Sequence, residues 1–205
     1  MAPAMKNRNN LYTYMLCALF AALVAICSQI FVPLPFTPVP INLALLALWV
    51  CGGVLGAKKG AIAIIVYILL GMIGVPVFAG FQGGLGVLAG PTGGYIIGYL
   101  PAVIIMGLLS QGSLQAGQHP ANEALVMRGR KAVVNVLLII LRGLPALVAC
   151  YALGTAWFII STGTGFWAAM LMCVIPFIPG DALKLVAAAV VCEALRKPMR
   201  ALAKY

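Results

Sequence analysis

Apolar residues run through this chain in long blocks, and polar or helix-breaking positions are gathered between the blocks. Six blocks predict helices: Leu11 to Val32, Asn42 to Ala57, Gly60 to Gly74, Gly94 to Ser110, Val133 to Ile160 and Pro176 to Leu195, each bounded by Pro, Gly or charge. They fill nearly the whole chain, so the pattern predicts one all-α domain over residues 1–205. The second, third and fourth blocks are the short ones. At about 15 to 17 residues they reach roughly 23 to 26 Å, against about 30 Å of bilayer hydrocarbon.

The stretches beside those short helices, FVPLPFTPVPIN and GVPVFAGFQGGLGVLAGPTGG, are rich in Pro and Gly. Irregular backbone at membrane depth is tolerated where protein buries it or where it lines a cavity. A pocket roofed by these loops is therefore expected; loops resting above a locally thinned bilayer are the alternative.

Composition turns the pattern into a membrane protein. The chain is 64% hydrophobic and 8% charged with a mean hydropathy of +1.12, where soluble domains carry roughly 25% charged residues. Its net charge of +10 is not the footprint of nucleic-acid binding, because the basic residues stand in small groups between apolar blocks. Those groups are Lys6 and Arg8, Lys58 and Lys59, Arg128 with Arg130 and Lys131, and Arg196, Lys197, Arg200 and Lys204. They mark every second connection, whereas Phe31 to Ile41, Gly74 to Thr92 and Ser161 to Ile175 carry no Lys, Arg, Asp or Glu. The positive-inside rule then predicts six transmembrane helices with both termini cytoplasmic, in a multi-pass protein of the cell membrane. The run beginning at Leu11 is long enough to span and shows no persuasive cleavage site, so it is read as an uncleaved first helix.

Asp181 and Lys184, in PFIPGDALKLVAAAV, are the charges assigned to the hydrocarbon. Intramembrane charges are costly and mark substrate or ion paths. Three residues apart, the two share a helical face, and together they can hold the two ends of a small amphoteric acid. The alternative is a pair that only neutralises itself. Arg142 is placed at the inner interface, where its long side chain snorkels, and is left out of the site. His119 lacks metal-ligand company and is read as solvated. Phe36, Phe78, Phe81 and Tyr95 stand near the outer loops and suit either a pocket for an apolar body or interfacial anchoring.

Other chemistry finds little support. Cys17, Cys27, Cys51, Cys150, Cys173 and Cys192 lie within apolar segments with no CxxC pair, so they read as packing residues and no metal is expected. GGLGVLAG lacks the GK[ST] ending of a phosphate loop, and without a Walker A sequence this chain cannot by itself couple transport to ATP. No GxSxG, HExxH or Cys/His pairing supports an enzyme, and no cofactor is expected. Ala18 with Ala22 and Ala21 with Ala25 form overlapping small-xxx-small pairs, which fit either docking of a partner subunit or packing within the chain.

The segments TPVPIN (Thr37 to Asn42), GVPVFAGFQGGLGVLAGPTGGY (Gly74 to Tyr95), YALGTAW (Tyr151 to Trp157) and PGDALK (Pro179 to Lys184) closely resemble the BioY family, the biotin-binding S components of energy-coupling factor transporters. The resemblance implies a six-helix S-component fold that binds biotin at its outer side. It also implies that the first helix docks, through Ala18, Ala21, Ala22 and Ala25, on a transmembrane coupling subunit driven by two ATPase subunits. Carried over by motif, Asp181 is assigned to the ureido N–H groups and Lys184 to the following basic position. Thr92 and Tyr95 shape the pocket, and backbone N–H groups near Gly83 and Gly84 contribute hydrogen bonds.

Two positions depart from the family pattern. Ala44 stands where members commonly carry a glutamine, and Asn42, which stays in the candidate site with Phe36, points about 200° away from it around a helix. Gln82 occupies a position that is basic in some relatives, which shifts the biotin carboxylate toward Lys184 or backbone donors. The expected function is capture of biotin for an ATP-driven importer. The alternatives are a facilitator that moves biotin without ATPases and a membrane scaffold or receptor whose polar pair is structural.

Overall fold

A computed structural model describes the backbone of residues 3–115 and 125–202 and the side chains of residues 11–110 and 133–195. His119 lies outside the described residues. Helix α1 (Pro3–Gln29) ends three residues before the predicted Val32. Pro33 explains this, because it has no N–H to give a helix and pushes the residue before it into extended backbone. Phe31 and Val32 instead open a hairpin, in which β1 (Phe31–Leu34) runs antiparallel to β2 (Thr37–Asn42), with Phe31 opposite Asn42 and Leu34 opposite Thr37. A two-stranded ribbon has two free edges, so it accommodates Pro33, Pro38 and Pro40, which would break a wider sheet.

Asn42 Oδ1 then accepts the Ala44 N–H at 3.1 Å and starts α2 (Ala44–Met72). This element holds both the second and the third predicted helices, joined at Gly56, whose φ of 77° is open to glycine but strained for other residues. The chain doubles back there. A Cβ built on Gly60 would lie 3.7 Å from Gly52 Cα, whereas eight residues of straight helix would separate them by about 12 Å. Helix α4 (Gly93–Gln115) packs across the reversal so closely that a Cβ on Gly107 would fall 2.2 Å from the Ala57 nitrogen.

Two of the predicted loops contain helices, α3 (Leu85–Ala89) and α6 (Phe166–Cys173), and α2 merges two predicted ones, so the described residues form seven helices rather than six. Helix α5 (Leu125–Thr162) carries Pro145 within its 38 residues. Helix α7 begins at Ile178, two residues later than predicted, and continues to Leu202.

The chain is a multi-pass membrane protein. Helices α1, α2, α4 and α5 each contain a run long and apolar enough to cross a bilayer, and α6 with the start of α7, bent by 49°, makes a fifth. Trp49, Tyr67, Phe78, Met106 and Phe158 fill the centre of the bundle. The outer surface is apolar too: Leu141, Val148 and Leu183 are 64%, 65% and 71% exposed. That much exposed aliphatic surface is a liability in water and the natural exterior in lipid.

Candidate functional site

The break between α6 and α7 aims the start of α7 at a cavity of about 500 Å³, within the range of small-molecule sites. Asp181 stands in the first turn of α7, where the helix dipole favours an anion. Its carboxylate accepts two hydrogen bonds, from Lys184 Nζ to Oδ1 at 2.7 Å and from the Tyr151 hydroxyl to Oδ2 at 2.5 Å. Asp181 is 1% exposed and Lys184 7%. Burial of either charge alone would be costly, and the pair is tolerable because each neutralises the other at hydrogen-bonding distance. A carboxylate offers about four acceptor positions and an ammonium three donors, so both keep unused capacity while lining the cavity.

Much of the remaining lining is aromatic. Tyr67 from the second arm of α2 meets Phe78 edge-on at 5.6 Å and lies beside Tyr99 of α4 at 6.5 Å, and all three line the cavity. Phe78 reaches this position over Gly71, where a Cβ would sit 2.0 Å from the ring. The Tyr67 hydroxyl is paired with Ser28 Oγ at 2.9 Å, and that of Tyr95 with Thr155 Oγ1 at 3.1 Å, so the ring faces stay apolar while their polar ends are satisfied. This combination of flat apolar faces with one buried charge pair suits a compact ligand that has an apolar body and a polar hydrogen-bonding edge.

Of the residues singled out in the sequence, Asn42, Gln82, Thr92, Tyr95, Asp181 and Lys184 line this cavity, together with Phe78. Phe36 does not; it lies half exposed in the hairpin turn, and Phe81 is 71% exposed. Gly83 and Gly84 are also absent from the lining. Gly84 N–H is taken by Gly71 O at 2.6 Å, and Gly83 packs where a Cβ would fall 2.5 Å from Val75 O, so these glycines shape the loop. Ala44 is fully buried and outside the lining. Arg142 is half buried on α5 and likewise outside it.

The small-residue pairs of α1 divide between two faces. Ala21 is buried and Ala25 half buried against the bundle, whereas Ala18 and Ala22 are exposed. Of the four alanines assigned to docking, Ala18 and Ala22 are the outward pair. Tyr67, Tyr99 and Tyr151 were not anticipated. The signal they carried was a phenol inside an apolar span, which must find a partner once buried. Tyr151 even stands in one of the quoted motifs, but its bond to Asp181 joins residues 30 apart on different helices.

Comparison with known proteins agrees with this architecture. The chain matches the BioY family over residues 4–201. It is 35% identical to the biotin transporter BioY of Rhizobium etli over 88% of this chain and 90% of that protein. It is 36% identical to a probable biotin transporter BioY of Pyrococcus horikoshii over 88% of this chain and 94% of that one. A solved structure of the S-component for biotin from an ECF-type ABC transporter superposes with a TM-score of 0.76 at 26% identity, covering 93% of this chain and 94% of the other. A match across nearly the whole length, with the polar pair and its cavity in place, shows that this chain belongs to the BioY family.

Proposed function

We propose that this chain is the substrate-binding S component of an energy-coupling factor importer and that its ligand is biotin, captured at the outer side of the membrane. The observation that carries the reading is the Asp181–Lys184 pair, steadied by Tyr151, at one side of an aromatic cavity of about 500 Å³. Biotin presents fused apolar rings, a ureido group with two N–H donors and one carbonyl, and a valerate tail. One ureido N–H donates to a remaining acceptor position of Asp181, and the carbonyl beside it accepts from Lys184. The rings lie against Tyr67, Phe78 and Tyr99. The valerate end runs toward Gln82 and Thr92, with Tyr95 and Asn42 closing the sides.

In this reading the two arms of α2 are separate spans, so the chain crosses the membrane six times with both termini in the cytoplasm, in keeping with the distribution of Lys and Arg. The outward face of α1 at Ala18 and Ala22 docks on a transmembrane coupling subunit, which two ATPase subunits drive. The protein's task is transport, and no bond in biotin is made or broken. Uptake of labelled biotin by cells lacking their own route, with and without the coupling subunit and ATPases, tests this. Uptake that requires all the partners is expected. Uptake by this chain alone would make it a facilitator, and saturable binding of no biotin at all would remove the ligand.

A further inference from the structure

Among the described residues, helix α1 gives no side chain to the cavity lining, yet its last turn holds the cavity's wall through Gln29. The Gln29 amide spans some fifty residues of sequence to the segment at residues 76–82. Nε2 donates to Phe78 O at 3.1 Å, and Pro76 O and Ala25 O lie within its reach at 3.4 and 3.3 Å. Oε1 accepts the Phe81 N–H at 2.9 Å. Phe81 has a φ of 57°, which non-glycine residues seldom adopt without local hydrogen bonding to hold them. The same segment closes on itself through Phe78 N–H to Gln82 O at 3.0 Å and Gln82 N–H to Phe78 O at 3.3 Å. It supplies Phe78, Ala79, Gly80 and Gln82 to the cavity.

We infer that Gln29 is a positioning residue for ligand retention: its amide latches the 76–82 segment against the site and sets how long a bound molecule stays. A glutamine fits this task because it alone among neutral side chains of that length offers a donor and an acceptor on one planar end. Besides its own Phe78–Gln82 pair and the packing of Phe78 on Tyr67 and over Gly71, the segment is tied to α1 by this amide. Pro76 gives no N–H, and Gly80, at a φ of 75°, has no Cβ to restrict the backbone. The neighbouring Ser28 bond to Tyr67 holds the adjoining aromatic wall, so two consecutive residues of α1 fix both parts of it. The inference rests on the biotin reading for its kinetic arm and stands on geometry alone for its structural arm.

Gln29→Met keeps the length of the side chain and removes both polar ends. Amide hydrogen exchange of the purified full chain would be followed over residues 76–82 and over α4 and α7, with biotin association and dissociation rates measured in parallel. Exchange over 76–82 is expected to speed up about tenfold, the equivalent of one to two net hydrogen bonds, with α4 and α7 unchanged. Dissociation of biotin is expected to rise by about the same factor while association changes little. Unchanged exchange at 76–82 would overturn the latch whether or not biotin binds. Faster exchange with unchanged dissociation would leave the contact structural and overturn its role in retention. Should the Met variant fail to fold, Gln29→Glu keeps the acceptor for Phe81 N–H and loses the donor to Phe78 O; exchange no faster than the parent's would overturn the latch. Absence of biotin binding by the parent, with exchange altered as expected in the variant, would count against the ligand and leave the structural latch in place.

Discussion

Lys184→Met removes the partner that neutralises Asp181 and leaves the carboxylate, 1% exposed, with the Tyr151 hydroxyl as its remaining bond. Breaking a buried ion pair from one side costs about 3 to 5 kcal/mol, because the charge left behind has lost its compensation. For a chain of this length that corresponds to a fall in melting temperature of roughly 10 °C. Adding Asp181→Asn removes the stranded charge: an amide of the same shape still accepts from Tyr151, so most of the lost stability returns. The double variant should therefore be more stable than Lys184→Met alone, with a coupling of about 2 to 3 kcal/mol in the cycle. Biotin binding should not return with it, because both polar partners of the ureido group have gone. Thermal unfolding in detergent and equilibrium biotin binding on the same four proteins give both readouts. A double variant that folds and still binds biotin as the parent does would refute the assigned roles of the pair. A Lys184→Met variant as stable as the parent would refute the electrostatic argument itself.

Gly107→Ala places a methyl where the Ala57 nitrogen stands 2.2 Å away; it should cost about 1 to 3 kcal/mol, read as a lowered unfolding midpoint. Among the described residues lining the cavity the cation is Lys184, already bonded to Asp181. Gln82→Arg should therefore strengthen biotin binding about tenfold and leave biotin amide nearly unchanged, which titration of both ligands would show. Ala22→Leu, on the exposed face of α1, should leave biotin binding intact and abolish uptake that depends on the coupling subunit. Ala21→Leu, at 2% exposure, should instead lower the yield of folded protein.

The sequence showed the helices wherever apolar length alone decides them, as in α4 and α5, and it placed the reversal between Ala57 and Gly60, two to three residues beyond Gly56. It missed the hairpin because four prolines in twelve residues argue against a sheet, whereas a two-stranded ribbon has edges to spare. Asp181 and Lys184 were legible because a charge within an apolar run is conspicuous. Phe36, Gly83 and Gly84 fall outside the lining, since standing in or beside a motif says nothing about which way a loop turns its residues. Tyr151, Tyr67 and Gln29 depend on contacts between separate helices or across fifty residues of chain, which no local pattern encodes.

Isothermal titration of biotin into the purified protein, with Asp181→Asn in parallel, bears most directly on the account. Saturable binding by the parent and at least a tenfold loss in the variant, about 1.4 kcal/mol, is the predicted result. Verifiably folded parent that takes up no biotin, or a variant that binds it as tightly as the parent, would contradict the assignment of the ligand or of the residue that holds it.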